Sequence, residues 1–223
     1  MKYTTLLFDL DDTLLDFGKA EDNAITLLLE KYNLPASEEN KRLYSELNKS
    51  KWTALEKGEI TRKELFATRF PDFFAALGVE ADGAKANEEY ISFLGKGHFL
   101  LDGALEACRQ LSERYSMYII TNGAKKAQED RLKDSPLMQY FKGVFISEEI
   151  GFDKPKKEYF DFVCANIPEK DKSKLLVIGD SLNSDIAGAV NYGIDSCWVN
   201  RGEPKDTDAT YTVKKVTDLL LIL

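Results

Sequence analysis

At 223 residues and 43% hydrophobic content, the chain can bury one large core, or a core and a smaller companion domain. Its 30 Lys and Arg against 38 Asp and Glu give a net charge of −8 and a pI near 4.9, which excludes a broadly basic nucleic-acid-binding surface. Cys108, Cys164 and Cys197 are too scattered for a disulfide framework or a CxxC metal knuckle, and a single histidine, His98, is too little for a multi-histidine metal site, so it is read as structural.

The chain opens on an apolar run, Tyr3, Leu6, Leu7 and Phe8, suited to a strand buried on both faces of a parallel sheet. One Lys followed by a run broken at Asp9 is too short for a signal peptide, and no stretch approaches transmembrane length. A soluble protein of the reducing cytoplasm is expected, with no membrane and no nucleic acid polymer as partner. The first strand ends in Asp9, Asp11 and Asp12, a costly cluster unless a cation or amide donors compensate it.

From there to about residue 95 the pattern is helical, with helices expected over 19–32, 38–57, 62–77 and 84–94. Ala24, Leu27, Leu28 and Lys31 share one face of the first; Leu43, Leu47, Trp52 and Leu55 are apolar positions of the second. Ser37 and the Thr61/Glu64 capping box mark two starts, and Pro71 is expected to kink or split the third helix. These four helices make an all-α insertion, joined to the remainder by segments 15–17 and 95–99 with Gly95 and Gly97 as hinges.

Beyond residue 101, short runs rich in Val, Ile and aromatics alternate with helical stretches. Strands are expected at 117–121, 144–147, 175–179, 196–199 and, more weakly, 210–213; helices at 103–115, 125–133, 156–165 and 184–192. Such alternation implies right-handed βαβ units and an α/β fold with a doubly wound parallel sheet. Chemistry in such folds gathers at strand carboxyl ends. There the sequence places Thr121, Asn122 and Gly123, able to hydrogen-bond a phosphoryl oxygen, then Lys154-Pro155 at a helix start, then Asp180 and Asp185.

The run Asp9-Leu10-Asp11-x-Thr13 resembles the DxDx(T/V) motif of the haloacid dehalogenase-like hydrolases. A strand ending in Thr121, the Lys154-Pro155 pair, and Gly179-Asp180 with Asp185 resemble its three later motifs, in order. The resemblance implies a Rossmann-like core of residues 1–15 and 98–223 and a helical cap of residues 16–97. It implies Asp9 as nucleophile and Asp11 as general acid/base. Thr121, Asn122 and Lys154 would meet the substrate phosphate, with Lys156 in reserve. Mg2+ would be held by Asp9, the backbone carbonyl of Asp11, and Asp180, with Asp185 supporting through water or hydrogen bonds.

Gln128 and Arg131-Leu132 after ITNG, and ISEEIG before Lys154-Pro155, resemble the branch of bacterial pyrimidine 5′-nucleotidases. That likeness implies phosphate monoester hydrolysis through an aspartyl-phosphate, on a small phosphorylated metabolite, a nucleoside 5′-monophosphate and a pyrimidine one in preference. A sugar-phosphate phosphatase, a phosphomutase and a non-catalytic binding module stay open, whereas an acid at position 11 argues against dehalogenation. The cap aromatics Trp52, Phe66, Phe70, Phe73, Phe74, Tyr90 and Phe93 read chiefly as packing, with one ring available to stack on a base. No feature of the sequence sets an oligomeric state.

Overall fold

A computed structural model describes residues 2–223. Six strands form one parallel sheet: β1 (Thr5–Phe8), β2 (Ser116–Thr121), β3 (Val144–Ile146), β4 (Leu175–Gly179), β5 (Asp195–Val199) and β6 (Tyr211–Val213). Their spatial order is β3-β2-β1-β4-β5-β6, so the winding reverses between β1 and β4.

The apolar run that opens the chain occupies the centre of this sheet because both its faces are covered. Leu6 and Phe8 join the core on one face with Met117, Ile119, Leu176 and Ile178; Leu7 joins the other with Tyr118, Ile120 and Val177. Helix α5 (residues Ala104–Ser112) closes the first face through Ala104, Cys108 and Leu111. The second is closed by two later helices, residues Lys157–Asn166 and Ala187–Tyr192, through Tyr159, Phe160, Val163 and Ala189. Each fully buried large side chain contributes about 1.5–3 kcal/mol.

Between β1 and α5 lie α1 (Phe17–Lys31), α2 (Glu38–Glu56), α3 (Arg62–Ala76) and α4 (Gly83–Leu94). Each begins at a side-chain cap: Asp16, Ser37, Thr61 and Asp82 accept from the backbone N–H groups of Lys19, Asn40, Glu64 and Lys85. Because Asp16 caps it, α1 starts two residues before the expected helix. Its packed face is Ala20, Ala24, Ile25, Leu28 and Leu29, while Leu27, expected on that face, is exposed. The four helices share a core of their own, in which Tyr44 stacks on Phe70 at 5.2 Å and meets Phe73 edge-on at 5.3 Å.

Pro71 does not split α3. The helix runs through it to Ala76, held by buried Phe70, Phe73 and Phe74, and the proline ring lies against Gly83, where a Cβ would sit 2.6 Å from its Cγ.

Four further helices follow: α6 (Lys125–Asp134), α7 (Ser147–Ile150), α8 (Lys157–Asn166) and α9 (Ala187–Tyr192); α10 (Leu219–Ile222) ends the chain. The short α7 and α10 were not expected. The helix expected over 184–192 is instead a wide π turn, Leu182–Ile186, leading into α9: Asp185 and Ile186 both donate their N–H to the Ser181 carbonyl, each at 3.1 Å. Among the described residues no helix is long and apolar enough to cross a membrane, and the three cysteines are free.

Candidate active site

A cavity of about 510 Å³ opens at the carboxyl ends of β1, β2 and β4, around the point where the winding reverses. Asp9, Asp11, Thr121, Lys154, Asp180 and Asp185 line its floor, and side chains of α1 to α4 line its roof. His98 is exposed and is not among the lining residues.

The three acids that end the first strand go three ways. Asp9 is buried and accepts from Lys154 Nζ at 2.7 Å; Asp11 turns toward α6; Asp12 pairs with Arg201 at 2.8 Å. Lys154 Nζ also donates to Asp185 at 2.7 Å and to the Ile120 carbonyl at 2.8 Å, so its three protons are all placed. Burial alone would push its ammonium down, but Asp185 and Asp9 outweigh that and hold it well above the usual lysine range. Lys156, exposed at the start of α8, is no rival for the role.

Asp9, Asp180 and Asp185 each bring a carboxylate oxygen within 4.8 Å of the others. Burial pushes the Asp9 carboxyl up to about 8 and that of Asp180 up to about 9; repulsion from neighbouring carboxylates adds to both, and Lys154 only partly opposes it. The crowding calls for more positive charge than one lysine brings. Since the donors are all carboxylate oxygens, with no thiolate or imidazole among them, they fit a hard divalent cation such as Mg2+. Asp185 is fully buried and takes the Ser181 N–H at 3.1 Å. Gly179 makes this possible, because a Cβ there would collide with the Asp185 carboxylate. The Asp11 side chain, by contrast, is outside the acidic trio.

Thr121 Oγ1, also buried, accepts from the Gly123 N–H at 3.1 Å and from Gln128 Nε2 at 2.8 Å, which leaves its own proton to donate into the cavity. The Asn122 side chain is committed elsewhere: it donates to the Lys154 carbonyl and accepts from the Lys154 N–H, both at 2.9 Å. Its side-chain amide therefore fixes the lysine's backbone, while Asn122 itself still lines the cavity. Asp11 is held by Gln128 Nε2 at 2.7 Å and by Arg131 Nη1.

The roof is unexpectedly polar. Glu21 accepts from Ser45 Oγ at 2.6 Å and Asn48 Nδ2 at 2.7 Å, and the buried Arg69 donates to Asn87 at 2.8 Å and Asn48 at 3.3 Å. Of the aromatics singled out from the sequence, Trp52 and Tyr90 line the cavity, whereas Phe70, Phe73 and Phe74 are spent on packing. Polar contacts join roof to floor: Ser181 Oγ donates to Glu56 at 3.3 Å, and Arg62 of α3 binds Ser147 at 2.5 Å and pairs with Asp153, the residue before Lys154.

The family model for haloacid dehalogenase-like hydrolases matches residues 3–193. The chain belongs to that family. Its parallel sheet flanked by helices agrees with membership of this group of hydrolytic enzymes. The HAD-hydrolase YfnB of Bacillus subtilis is 43% identical over 100% of this chain and 96% of its own length; a crystal structure of YfnB bound to magnesium, described as revealing interdomain movement, superposes with a TM-score of 0.94 over 100% of this chain and 99% of that one. The pyrimidine 5′-nucleotidase PynA of Streptococcus pneumoniae is 40% identical, with 99% of this chain and 94% of the relative aligned. The pyrimidine 5′-nucleotidase YjjG of Escherichia coli is 32% identical, with 100% and 99% aligned.

Within this HAD-like hydrolase, Asp9, Thr121, Lys154 and Asp180 were each visible in sequence as the polar end of an apolar strand or the lysine that comes after one. The placement of Asp185 beside Asp9 and Asp180 depends on the π turn, which no spacing rule anticipates. Gln128 and Arg131 carried a signal that was not turned into a position: an i, i+3 pair of polar residues on one helix face. The Glu21, Asn48 and Arg69 network left none, since its members lie on three different helices.

Proposed function

We propose that the chain hydrolyses phosphate monoesters through an aspartyl-phosphate on Asp9, that it depends on Mg2+, and that nucleoside 5′-monophosphates, pyrimidine ones first, are its preferred esters. The observation that carries this is the buried Lys154 ammonium bridging Asp9 and Asp185 beside Asp180 at the mouth of the reversing sheet. Support for the nucleotide comes from the full-length similarity to two pyrimidine 5′-nucleotidases.

In the first step an Asp9 oxygen attacks phosphorus in line with the ester oxygen. The P–O ester bond breaks, and Asp11 gives its proton to the departing alkoxide. In the second, Asp11 takes a proton from water as the water oxygen attacks phosphorus, the bond from phosphorus to Asp9 breaks, and inorganic phosphate leaves. Lys154 holds negative charge at Asp9 and at the transferring group, and the Thr121 hydroxyl donates to a phosphoryl oxygen. Asp9, Asp180 and Asp185 would hold Mg2+, with the Asp11 carbonyl as a further oxygen; the ion supplies positive charge that lets a carboxylate approach a dianionic ester.

Residues 16–97 form the cap and residues 1–15 and 98–223 the core, with the leaving group of the ester received under the cap by the polar roof. Trp52 offers a ring for a base at about 1–3 kcal/mol for a well-stacked one, whereas the fully buried Tyr90 is packed against Arg69, Tyr44 and Phe70. The three free thiols suit a reducing cytoplasm. A phosphate-release panel of UMP, dTMP, AMP, glucose 6-phosphate and phosphoglycolate, at matched low concentration with Mg2+, tests the substrate, because specificity is a ratio of kcat/KM values. UMP or dTMP is expected to lead. A lead of about tenfold or more for a sugar phosphate or phosphoglycolate would replace the nucleotidase reading by a different phosphatase.

A further inference from the structure

We propose that Arg131 is a positioning residue that ties the orientation of the Asp11 carboxylate to the chain segment between α4 and α5 at Gly97. The proposal rests on the acid/base role of Asp11.

Arg131 is fully buried on α6, an expensive place for a guanidinium unless its bonds are used. Its Nε donates to the Gly97 carbonyl at 2.8 Å, and its Nη1 reaches both Asp11 Oδ1 and Gln128 Oε1, the latter at 3.0 Å. Gln128 Nε2 in turn donates to Asp11 Oδ2 at 2.7 Å and to Thr121 Oγ1 at 2.8 Å. Each oxygen of the Asp11 carboxylate thus has its own donor, which fixes the plane of the group. Gly123 keeps the path clear, since a Cβ there would overlap the Gln128 amide. No contact in the chemical steps requires Arg131 itself; its bonds end on the acid, on Gln128 and on a backbone carbonyl.

That carbonyl belongs to the helical block. A Cβ on Gly97 would lie 2.6 Å from the Ala20 Cβ and 3.0 Å from its Cα on α1, and the Gly97 N–H is bonded to Leu94 of α4 at 2.9 Å. A shift of α1 and α4 relative to the sheet therefore moves the acceptor of Arg131 Nε. Because the guanidinium is a rigid planar fork, displacing one end turns the other, and the Asp11 carboxylate turns with it. Seating of the helical block and alignment of the acid/base are linked through one side chain.

The test compares the wild-type protein with Arg131→Lys, Gly97→Ala and the double variant, in saturating Mg2+, by kcat/KM for monoesters ranging from p-nitrophenyl phosphate to an alkyl phosphate. That ratio reports the steps up to ester cleavage, where only poor leaving groups need the proton. Lysine keeps the charge but cannot serve both acceptors as a fork does. Each single variant is expected to lose at least about tenfold more on the alkyl ester than on p-nitrophenyl phosphate, and the double variant to be no worse than the poorer single one. The thermal shift on adding Mg2+ should match that of the wild type, since the acidic trio is untouched. Equal losses across the ester series, no loss, or losses that multiply in the double variant would overturn the coupling. If Arg131→Lys does not fold, Gly97→Ala decides by the same slope. A wild-type protein that hydrolyses no monoester would bring down the phosphatase reading and this inference with it, whereas an active wild type with flat variant slopes brings down the coupling alone.

Discussion

Lys154 sets the electrostatics of the site, because it is the buried cation between Asp9 and Asp185. Lys154→Met would keep most of the volume and leave two buried carboxylates without their counter-charge. We expect a loss of about 3–5 kcal/mol in metal-free protein, read from denaturant melts, and a partial recovery when Mg2+ is added. A melt unchanged by the substitution would mean that the carboxylates are compensated elsewhere. At this scale the sequence was most legible where chemistry and secondary structure coincide, since an acid or lysine at the end of an apolar strand is visible as a misfit. Asp9, Asp180 and Lys154 stood out for that reason. The direction of the Asn122 side chain was not legible, because it depends on a chain segment 32 positions away: its amide faces the Lys154 backbone.

The helices over β1 and β4 are tied to the core at several points, and Arg62 at the start of α3 makes an ion-paired tie, to Ser147 and Asp153. Cutting it should leave the core standing and weaken the closed arrangement of roof over floor. For Arg62→Ala we expect KM for the preferred phosphate ester to rise by roughly threefold to tenfold, with kcat changed less and the melting temperature nearly unmoved. An unchanged KM would show that the tie does not hold the roof. The starts of α2 and α3 were readable because Ser37 and Thr61 are capping side chains whose pairing is local. That Pro71 would not split the helix was not legible, since the cost of its missing N–H is set by what Phe70, Phe73 and Phe74 bury around it. The π turn at Leu182–Ile186 was unreadable for the opposite reason: it is a local deviation selected by the need to bring Asp185 under Gly179.

For the molecule as a whole, the acidic trio links stability to pH and metal. The folded-state carboxyls of Asp9 and Asp180 are raised from 3.8 to about 8 and about 9, so between these values the folded protein binds protons that the unfolded chain has released. Metal-free stability should therefore fall as pH rises through that window, while the stabilisation by Mg2+, which competes with those protons, should grow. Thermal melts with and without Mg2+ at about pH 6 and about pH 8.5 check this; a metal-induced gain that shrinks toward high pH would contradict it. The parallel, doubly wound sheet was legible in its alternation of strands and helices, because βαβ handedness leaves few topologies; the order of the strands within it was not read from the sequence. The polar roof was not, because three helices must pack before Glu21, Asn48 and Arg69 meet. The central claim, a covalent route through Asp9, is tested most directly by phosphate release from UMP with Asp9→Asn, a nearly isosteric change that removes the nucleophile. The account predicts turnover reduced by about ten-thousand-fold or more in a protein that is still folded; activity within about tenfold of wild type, with deamidation excluded by mass spectrometry, would contradict it.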